Sequence, residues 1–348
     1  MTKKERVLSA IHHKEPDKIP KGELAIAKET ADAILGREYP ERQREVRVRE
    51  ILGIDLLVVG SWGRAVPVRQ DREGRTVYKN SYGYEYINTR HTRKIVKPIT
   101  EVPEQVIHFQ PPLLQEFDLD DVRYYAECTD LFLFAAVYGP ESIVYDTLGF
   151  ENYMQNVLLN GREIRILTEA LVDFEIEKTK KMLDLGAEGV IIADDLAYNT
   201  GTFLSPELME NLVFPYFRQM IEEIKRYRDV PVFLHSDGNL NCILESIVGC
   251  GFDGLQSLQP SAGMDIGTIK NRFGGELCLM GNIDVDHLLP FGTEEQVRVN
   301  VLDTIRQAAP GGGYILSSCN VLTSAIPSVN TLAMYEAAED YHNAGSDS

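Results

Sequence analysis

The chain has 348 residues with 44% hydrophobic content, enough for a large single core or for two smaller domains. Its formal net charge of −18 argues against nucleic acid, anionic membranes and polyanionic substrates as partners. No apolar run reaches the roughly 18 residues of a transmembrane helix. The opening "MTKKERVLSAIHHKEPDKIP" carries charge but lacks the apolar stretch of a secretory signal, so a cytoplasmic location is expected. Cys128, Cys242, Cys250, Cys278 and Cys319 are widely spread and form no CxxC pair. A disulfide framework is therefore not expected, and four of the five fall in predicted elements, where a buried free thiol is the ordinary outcome.

In chain order, the first strand-like segments are "KIPKGELAI" (18–26) and "IDLLVVG" (54–60). The stretch 66–99 that follows is turn-rich, aromatic and alternating, and reads as a β-hairpin excursion near the second strand. "LFLFAAV" (131–137) comes next, then a helix over 160–188 with Ile164, Leu167, Leu171 and Phe174 on one face and Gly186 as its stop. After "EGVIIAD" (188–194), a helix over 205–227 has Ser205 as N-cap and Pro206 at its first position, with Pro215 as a kink or break. "VPVFLH" (230–235), "FDGLQSL" (252–258) and "ELCLMGN" (276–282) follow. A helix opening on a Thr293/Gln296 capping box, the strand "GYILSSC" (313–319) and a last helix from Ser328 complete the chain. Continuous rather than alternating hydrophobicity suits parallel strands covered on both faces. Eight such strands with helices between them predict a (β/α)₈ barrel, with a doubly wound open sheet as the rival, and the whole of 1–348 reads as one domain.

In a barrel the reactive groups gather at the carboxyl ends of the strands. Those ends carry Glu23; Trp62 and Arg64; Asp194 and Asp195; His235 and Asp237; Gln256; Asn282 and Asp284; and Cys319 and Asn320. His235 and Asp237 stand two apart, so on a strand they share one face, and with a third ligand they could form a catalytic zinc shell with an open position. A hydrogen-bonded loop pair is the bland alternative. Gly238 behind them permits close backbone approach. Asp194 and Asp195 could instead cap the following helix, Asn282 and Asn320 could bridge loop backbone, and Cys319 could be an inert core thiol. Glu23 sits in an otherwise apolar strand, where a carboxylate is costly unless paired or bound to metal. His91, His108 and His287 have no spacing logic and read as surface or structural groups.

The order of motifs resembles the uroporphyrinogen decarboxylase superfamily. The segments that carry the resemblance are "TKKERVLSAIHHKEPDKIP", "IIADDLAYNTGTFLSPELMENLVFPYFRQMIEEIK", "FLHSDGNLNCILESIVGCGFDGLQ", "LCLMGNIDVDHLLPFGTEEQV" and "GGGYILSSCNVLTSAIPSVNTLAMYEAAEDY". The resemblance implies a (β/α)₈ barrel and one of two chemistries, decarboxylation of uroporphyrinogen or corrinoid-dependent methyl transfer. The decarboxylase branch carries an arginine-rich stretch after its first strand, whereas this chain reads "IPKGELAIAKETADAILG", with no arginine until Arg37. Without it, an octacarboxylate has no electrostatic complement here. Thiol-directed methyltransferases of the superfamily bind zinc through His-x-Cys and a later Cys. His235 matches the His, Asp237 replaces the first Cys, and either Cys319 or Asn320 falls at the second. The metal ligands implied are thus His235 and Asp237, with Cys319, or alternatively Glu23, completing the shell; Glu23, Asp194, Asp195 and Asn282 are the catalytic candidates and Trp62, Arg64, Gln256 and Asn320 the substrate-binding ones. A carboxylate-bearing shell keeps zinc a stronger Lewis acid than a thiolate-rich one. The expectation is therefore methyl transfer from a small O- or N-methyl substrate, aryl methyl ethers included, to a corrinoid held by a separate partner protein. A decarboxylase and a non-catalytic tetrapyrrole-binding barrel are the alternatives.

Overall fold

Seven parallel strands curl into one sheet in the computed structural model, which describes residues 1–89, 93–100 and 103–346. In chain order the strands are β1 (Leu56–Gly60), then β2 (Ala65–Gln70), β3 (Thr76–Asn80), β4 (Glu85–Asn88) and β5 (Arg93–Lys97). They continue with β6 (Phe132–Tyr138), β7 (Gly189–Ala193), a small β8 and β9 pair (Ala197–Tyr198 and Gly201–Thr202) and β10 (Val232–Ser236). The last are β11 (Gly254–Ser257), β12 (Cys278–Ile283) and β13 (Tyr314–Ser318). The sheet order β1-β6-β7-β10-β11-β12-β13 is the sequence order, as successive βα units require. All seven positions of β6 are buried, which is why its sequence is apolar without alternation.

The segment 18–26 fills the eighth place, although it pairs at only two isolated points rather than along a full strand. Lys21 bridges Leu316 and Ile26 bridges Leu322 on one side, while the Lys21 carbonyl accepts the Asp55 N–H at 2.8 Å on the other. This closes a (β/α)₈ barrel. Its amino end is filled by Leu56, Phe132, Phe134, Ile191, Phe233, Met280 and Ile315, against which the helix Lys3–Ile11 places Val7, Ala10 and Ile11. Each such side chain contributes about 1.5–3 kcal/mol on burial. The barrel bottom is therefore a packed plug, and the polar layer lies at the other end.

Several local expectations meet the structure directly. Ser205 caps a helix with Pro206 in its first turn, and Thr293 with Gln296 forms a complete capping box. The 205–227 helix is broken at Val213 into Pro206–Leu212 and Phe214–Tyr227. Pro215 sits in the first turn of the second piece, where its missing N–H costs nothing. The 66–99 segment is not one hairpin but a four-stranded antiparallel sheet, β2-β3-β4-β5, with a register shift between Pro67 and Arg69. All five cysteines are free, and Cys128 and Cys242 are exposed rather than buried. His108 and His287 are exposed, whereas His91 lies outside the described residues. No described helix is long and apolar enough to cross a membrane.

Glu23, fully buried, ties the closing segment to the rest. Its carboxylate accepts from Ser318 Oγ at 2.7 Å, Tyr335 OH at 2.9 Å and the Ser318 N–H at 3.3 Å. Burial dominates over these bonds and pushes its pKa up to about 7. Between the unfolded value of 4.5 and this one, the folded chain binds a proton that the unfolded chain has lost. Glu23 therefore contributes stability that is complete below pH 4.5 and is lost as pH rises toward 7, by at most about 1.4 kcal/mol per pH unit. Glu23→Gln should flatten that decline. Urea unfolding of both proteins at several pH values checks this, and parallel stability curves would contradict it.

Candidate active site

The carboxyl ends of β7 and β10 bring Asp195, His235 and Asp237 together, with one ligand atom of each within 4.8 Å of the others. His235 Nε2 lies 3.8 Å from Asp195 Oδ1, and the Asp237 N–H donates to that same oxygen at 3.1 Å. The chain can turn here because Gly238 adopts φ +85°. A side chain at that position would stand 2.6 Å from the Ala197 carbonyl.

Gln256 decides which nitrogen of His235 faces the mouth. It lies beside His235 in the β10–β11 register and is fully buried. Its Nε2 donates to the Ser318 carbonyl at 3.3 Å, which leaves its Oε1 as the acceptor for His235 Nδ1. Nδ1 must then carry the proton, so in the neutral imidazole Nε2 presents its lone pair toward Asp195 and Asp237. Asp237 is likewise held by two donors, Ser257 Oγ at 2.7 Å on Oδ1 and Asn320 Nδ2 on Oδ2. Burial raises the Asp237 pKa, the His235 ring opposes that shift, and Asp195 adds to it.

These residues fit a divalent cation of the zinc type. One imidazole nitrogen and two carboxylates form a three-ligand set, and the hydrogen bonds behind His235 and Asp237 fix their orientation as metal ligands require. Cys319 is not part of the cluster. Its thiol is buried, which raises its pKa, and its neighbour Asn320 supports Asp237 instead.

The other expected site residues divide by environment. Asp194 points away from its neighbour Asp195 and is fully buried, accepting the N–H groups of Glu141 at 3.0 Å and Ser142 at 2.5 Å. It thus caps the helix Pro140–Leu148, which follows β6, rather than the helix that follows itself. Burial raises its pKa to about 7. Asn282, with φ +72°, donates to the carbonyls of Leu258 at 2.6 Å and Met264 at 3.0 Å and so holds the loop after β11. Ser257 and Leu258 also have positive φ. Such backbone costs about 1–3 kcal/mol per residue and concentrates at functional sites. Asp284 caps the turn before Leu288 by accepting three N–H groups. Glu23 stands behind the cluster, joined to it through Ser318, which contacts both Gln256 and Asn320.

A cleft of about 1430 Å³ opens from His235 and Asp195 toward the four-stranded sheet. Trp62, Tyr138, Tyr145 and Phe150 give it aromatic walls, while Asp146, Glu151, Arg93 and Lys94 supply charge. Arg64 lies outside it, exposed, with its N–H on Ser81 Oγ. Sequence reasoning missed Arg93, Lys94, Tyr145 and Asp146: the first two come from the segment read as an excursion, the others from the helix Pro140–Leu148, to which no element was assigned. Only Tyr138, at the end of an apolar strand and before "GP", carried a signal. Asp146 accepts from Tyr138 OH at 3.0 Å, and burial raises its pKa to about 6.

The uroporphyrinogen decarboxylase (URO-D) family model matches residues 94–341. Uroporphyrinogen decarboxylase of Crocosphaera subtropica is 28% identical over 158 residues, 45% of this chain and 42% of that protein. The methylcobamide:CoM methyltransferase MtaA of Methanosarcina barkeri is 25% identical over 218 residues, 61% of this chain and 59% of that protein. The matched region thus spans well under two thirds of each relative's length. A methyltransferase structure from Methanosarcina mazei superposes with a TM-score of 0.78 at 18% identity, covering 98% of this chain and 99% of that one, which shows a shared fold. With the family model matching most of its length, the chain belongs to the uroporphyrinogen decarboxylase family.

Proposed function

We propose that the protein is a corrinoid-dependent methyltransferase that moves a methyl group from a small O- or N-methyl substrate to the cobalt of a separate corrinoid protein. The observation that carries this reading is the convergence of Asp195, His235 and Asp237 at the barrel mouth, with His235 Nε2 turned toward the two carboxylates by Gln256. A methyltransferase relative and a methyltransferase fold neighbour support it.

Asp195, His235 and Asp237 would hold zinc, with Asp195 taking the place expected of Cys319. When bound, zinc supplies Lewis acidity to the heteroatom that carries the methyl group. The partner's corrinoid supplies the nucleophile. What this chain does itself is orientation and enclosure. Gln256 keeps the Nδ1 proton in place, Ser257 and Asn320 stop the Asp237 carboxylate from rotating, and Trp62 and Tyr138 offer an apolar surface for the body of the substrate. Asp194 and Asn282 support the mouth through backbone, and Glu23 braces β13 behind Gln256.

Decarboxylation of uroporphyrinogen is the second reading, favoured by the names of several relatives. The cleft disfavours it. Among the described residues its lining carries four carboxylates, Asp146, Glu151, Asp194 and Asp195, against the two cations Arg93 and Lys94. A polycarboxylate gains little there. No meaningful formation of coproporphyrinogen is expected in an anaerobic assay, and robust turnover would overturn the methyltransferase assignment.

Metal analysis tests the site itself. Wild type should retain zinc after gel filtration, His235→Ala should lose it together with methyl transfer to reduced cobalamin, and both should keep the same circular dichroism. Equal zinc in the two proteins removes His235 from the site. Full methyl transfer by metal-free protein, across a panel of ethers and amines, ends the Lewis-acid role. Gln256→Leu keeps all three ligands but deletes the acceptor for Nδ1–H. Supporting changes of this kind typically cost about 10–100-fold in metal affinity, so competition with a chromogenic chelator should show a loss in that range.

A further inference from the structure

The helix Gly161–Asp184 carries an ion pair that the metal cluster does not use. Glu175 and Lys178 stand three residues apart, both with side chains fully buried, and their charges meet at 2.8 Å. Buried pairs of this kind add little net stability, because desolvation offsets most of the attraction. Among their neighbours Tyr138 lines the cleft, and Ser61 adjoins Trp62, which lines it too. Lys178 Nζ donates to the Ser61 carbonyl at 3.1 Å and to Tyr82 OH at 3.0 Å. It also lies over the rings of Phe117, Tyr82 and Phe174, at 4.9, 5.7 and 5.8 Å from their centroids. Glu175 accepts the phenolic proton of Tyr82 on one oxygen and the Tyr138 N–H on the other, at 3.0 Å.

Those contacts connect three separate parts of the chain. Ser61 precedes Trp62 just beyond β1, Tyr138 ends β6, and Tyr82 lies in the turn between β3 and β4 of the inserted sheet. The Trp62 and Tyr138 rings meet edge to face at 4.8 Å, and Tyr82 packs on Tyr138 at 5.7 Å. Trp62 folds back over Gly60, where even a β-carbon would come within 2.6 Å of its ring. Nothing covalent holds that position, so it depends on what fixes the backbone at Ser61.

We propose that the Glu175–Lys178 pair is a positioning element that clamps the ends of β1 and β6 to the inserted sheet and thereby holds Trp62 and Tyr138 as the substrate-facing wall of the cleft. Its meaning for substrate binding rests on the cleft being the substrate site, but the clamp can be tested without metal or substrate. Trp62 is the only tryptophan of the chain, so fluorescence excited beyond the tyrosine absorption band reports this wall alone.

The informative protein is the double variant Lys178→Met with Glu175→Gln. It removes both buried charges together, so no unpaired ion remains to unfold the chain, but it deletes the donor to Ser61. Circular dichroism and zinc content should match wild type. Quenching of Trp62 by acrylamide should rise about twofold or more as the freed wall samples open states. A result in which the double variant shields Trp62 as well as wild type does would show that the pair serves general packing and positions nothing. Should the double variant fail to fold, Tyr82→Phe leaves the ion pair and the ring packing in place and removes only the hydroxyl that ties both charges to the inserted sheet. The same increase in quenching is expected from it, and unchanged shielding refutes the clamp equally. Because neither readout needs methyl transfer, failure of the clamp and failure of the methyltransferase assignment are separate outcomes.

Discussion

The pairing of β10 with β11 fixes the chemistry of the mouth. In that register His235 lies beside Gln256, and on the other side β10 sets His235 beside Ala193 of β7. Neighbouring residues at one level of a parallel sheet point to the same face, so the imidazole and the amide meet inside the barrel. Slipping β11 by one residue would turn Gln256 outward and bring a different side chain to Nδ1. The closure of the barrel also enters here. Gln256 meets His235 as an acceptor because its Nε2 is turned to the Ser318 carbonyl, and Ser318 is held from behind by Glu23, which Tyr335 holds in turn. The protonation pattern of one ring thus depends on the segment that completes the eighth side of the barrel.

A second constraint sorts the acids of this strongly acidic chain. Asp194 and Asp195 are consecutive just past the end of β7, and their side chains part. One finds the amino end of a helix and two backbone donors, and is spent on holding that helix to the mouth. The other finds His235 and Asp237. Asp237 is packed tightly enough to need both Ser257 and Asn320, while the side chain of Asp195 remains 45% exposed and can adjust to a ligand. A rigid His–Asp pair with one adjustable carboxylate is a site able to bind a cation and leave room beside it.

The barrel was legible because parallel strands buried on both faces must be continuously apolar. That signature is strong in "LFLFAAV" and "EGVIIAD". It is weaker in "KIPKGELAI", where the structure has two bridges in place of a strand. His235 and Asp237 were visible from their spacing alone. Asp195 was visible as a polar strand end, but its grouping with them was not, because adjacent aspartates give no clue to which one faces inward. Cys319 drew attention by its chemistry, whereas the neighbour that reaches the cluster is Asn320. Arg93 and Asp146 were hidden for another reason. They come from an insertion and a helix whose contact with the mouth is purely tertiary.

The candidate site therefore has two sources, joined along the β6–β7 pairing. The Asp195, His235 and Asp237 cluster comes from the ends of β7 and β10 with support from β11 and the end of β13, and the wall comes from β1, β6, the inserted sheet and the helices after β6. Ser142 is a side-chain link between them. Its N–H is bound by Asp194, its Oγ accepts the N–H of Asp195 at 3.0 Å, and the same Oγ lies 2.8 Å from Tyr145 OH in the cleft. A change in the wall reaches the cluster through that hydroxyl, whereas the hydrogen bonds that orient His235 and Asp237 come from Gln256, Ser257 and Asn320 on the far strands. Substitutions in the inserted sheet can thus reshape the cleft wall while Gln256, Ser257 and Asn320 keep the orientation of His235 and Asp237.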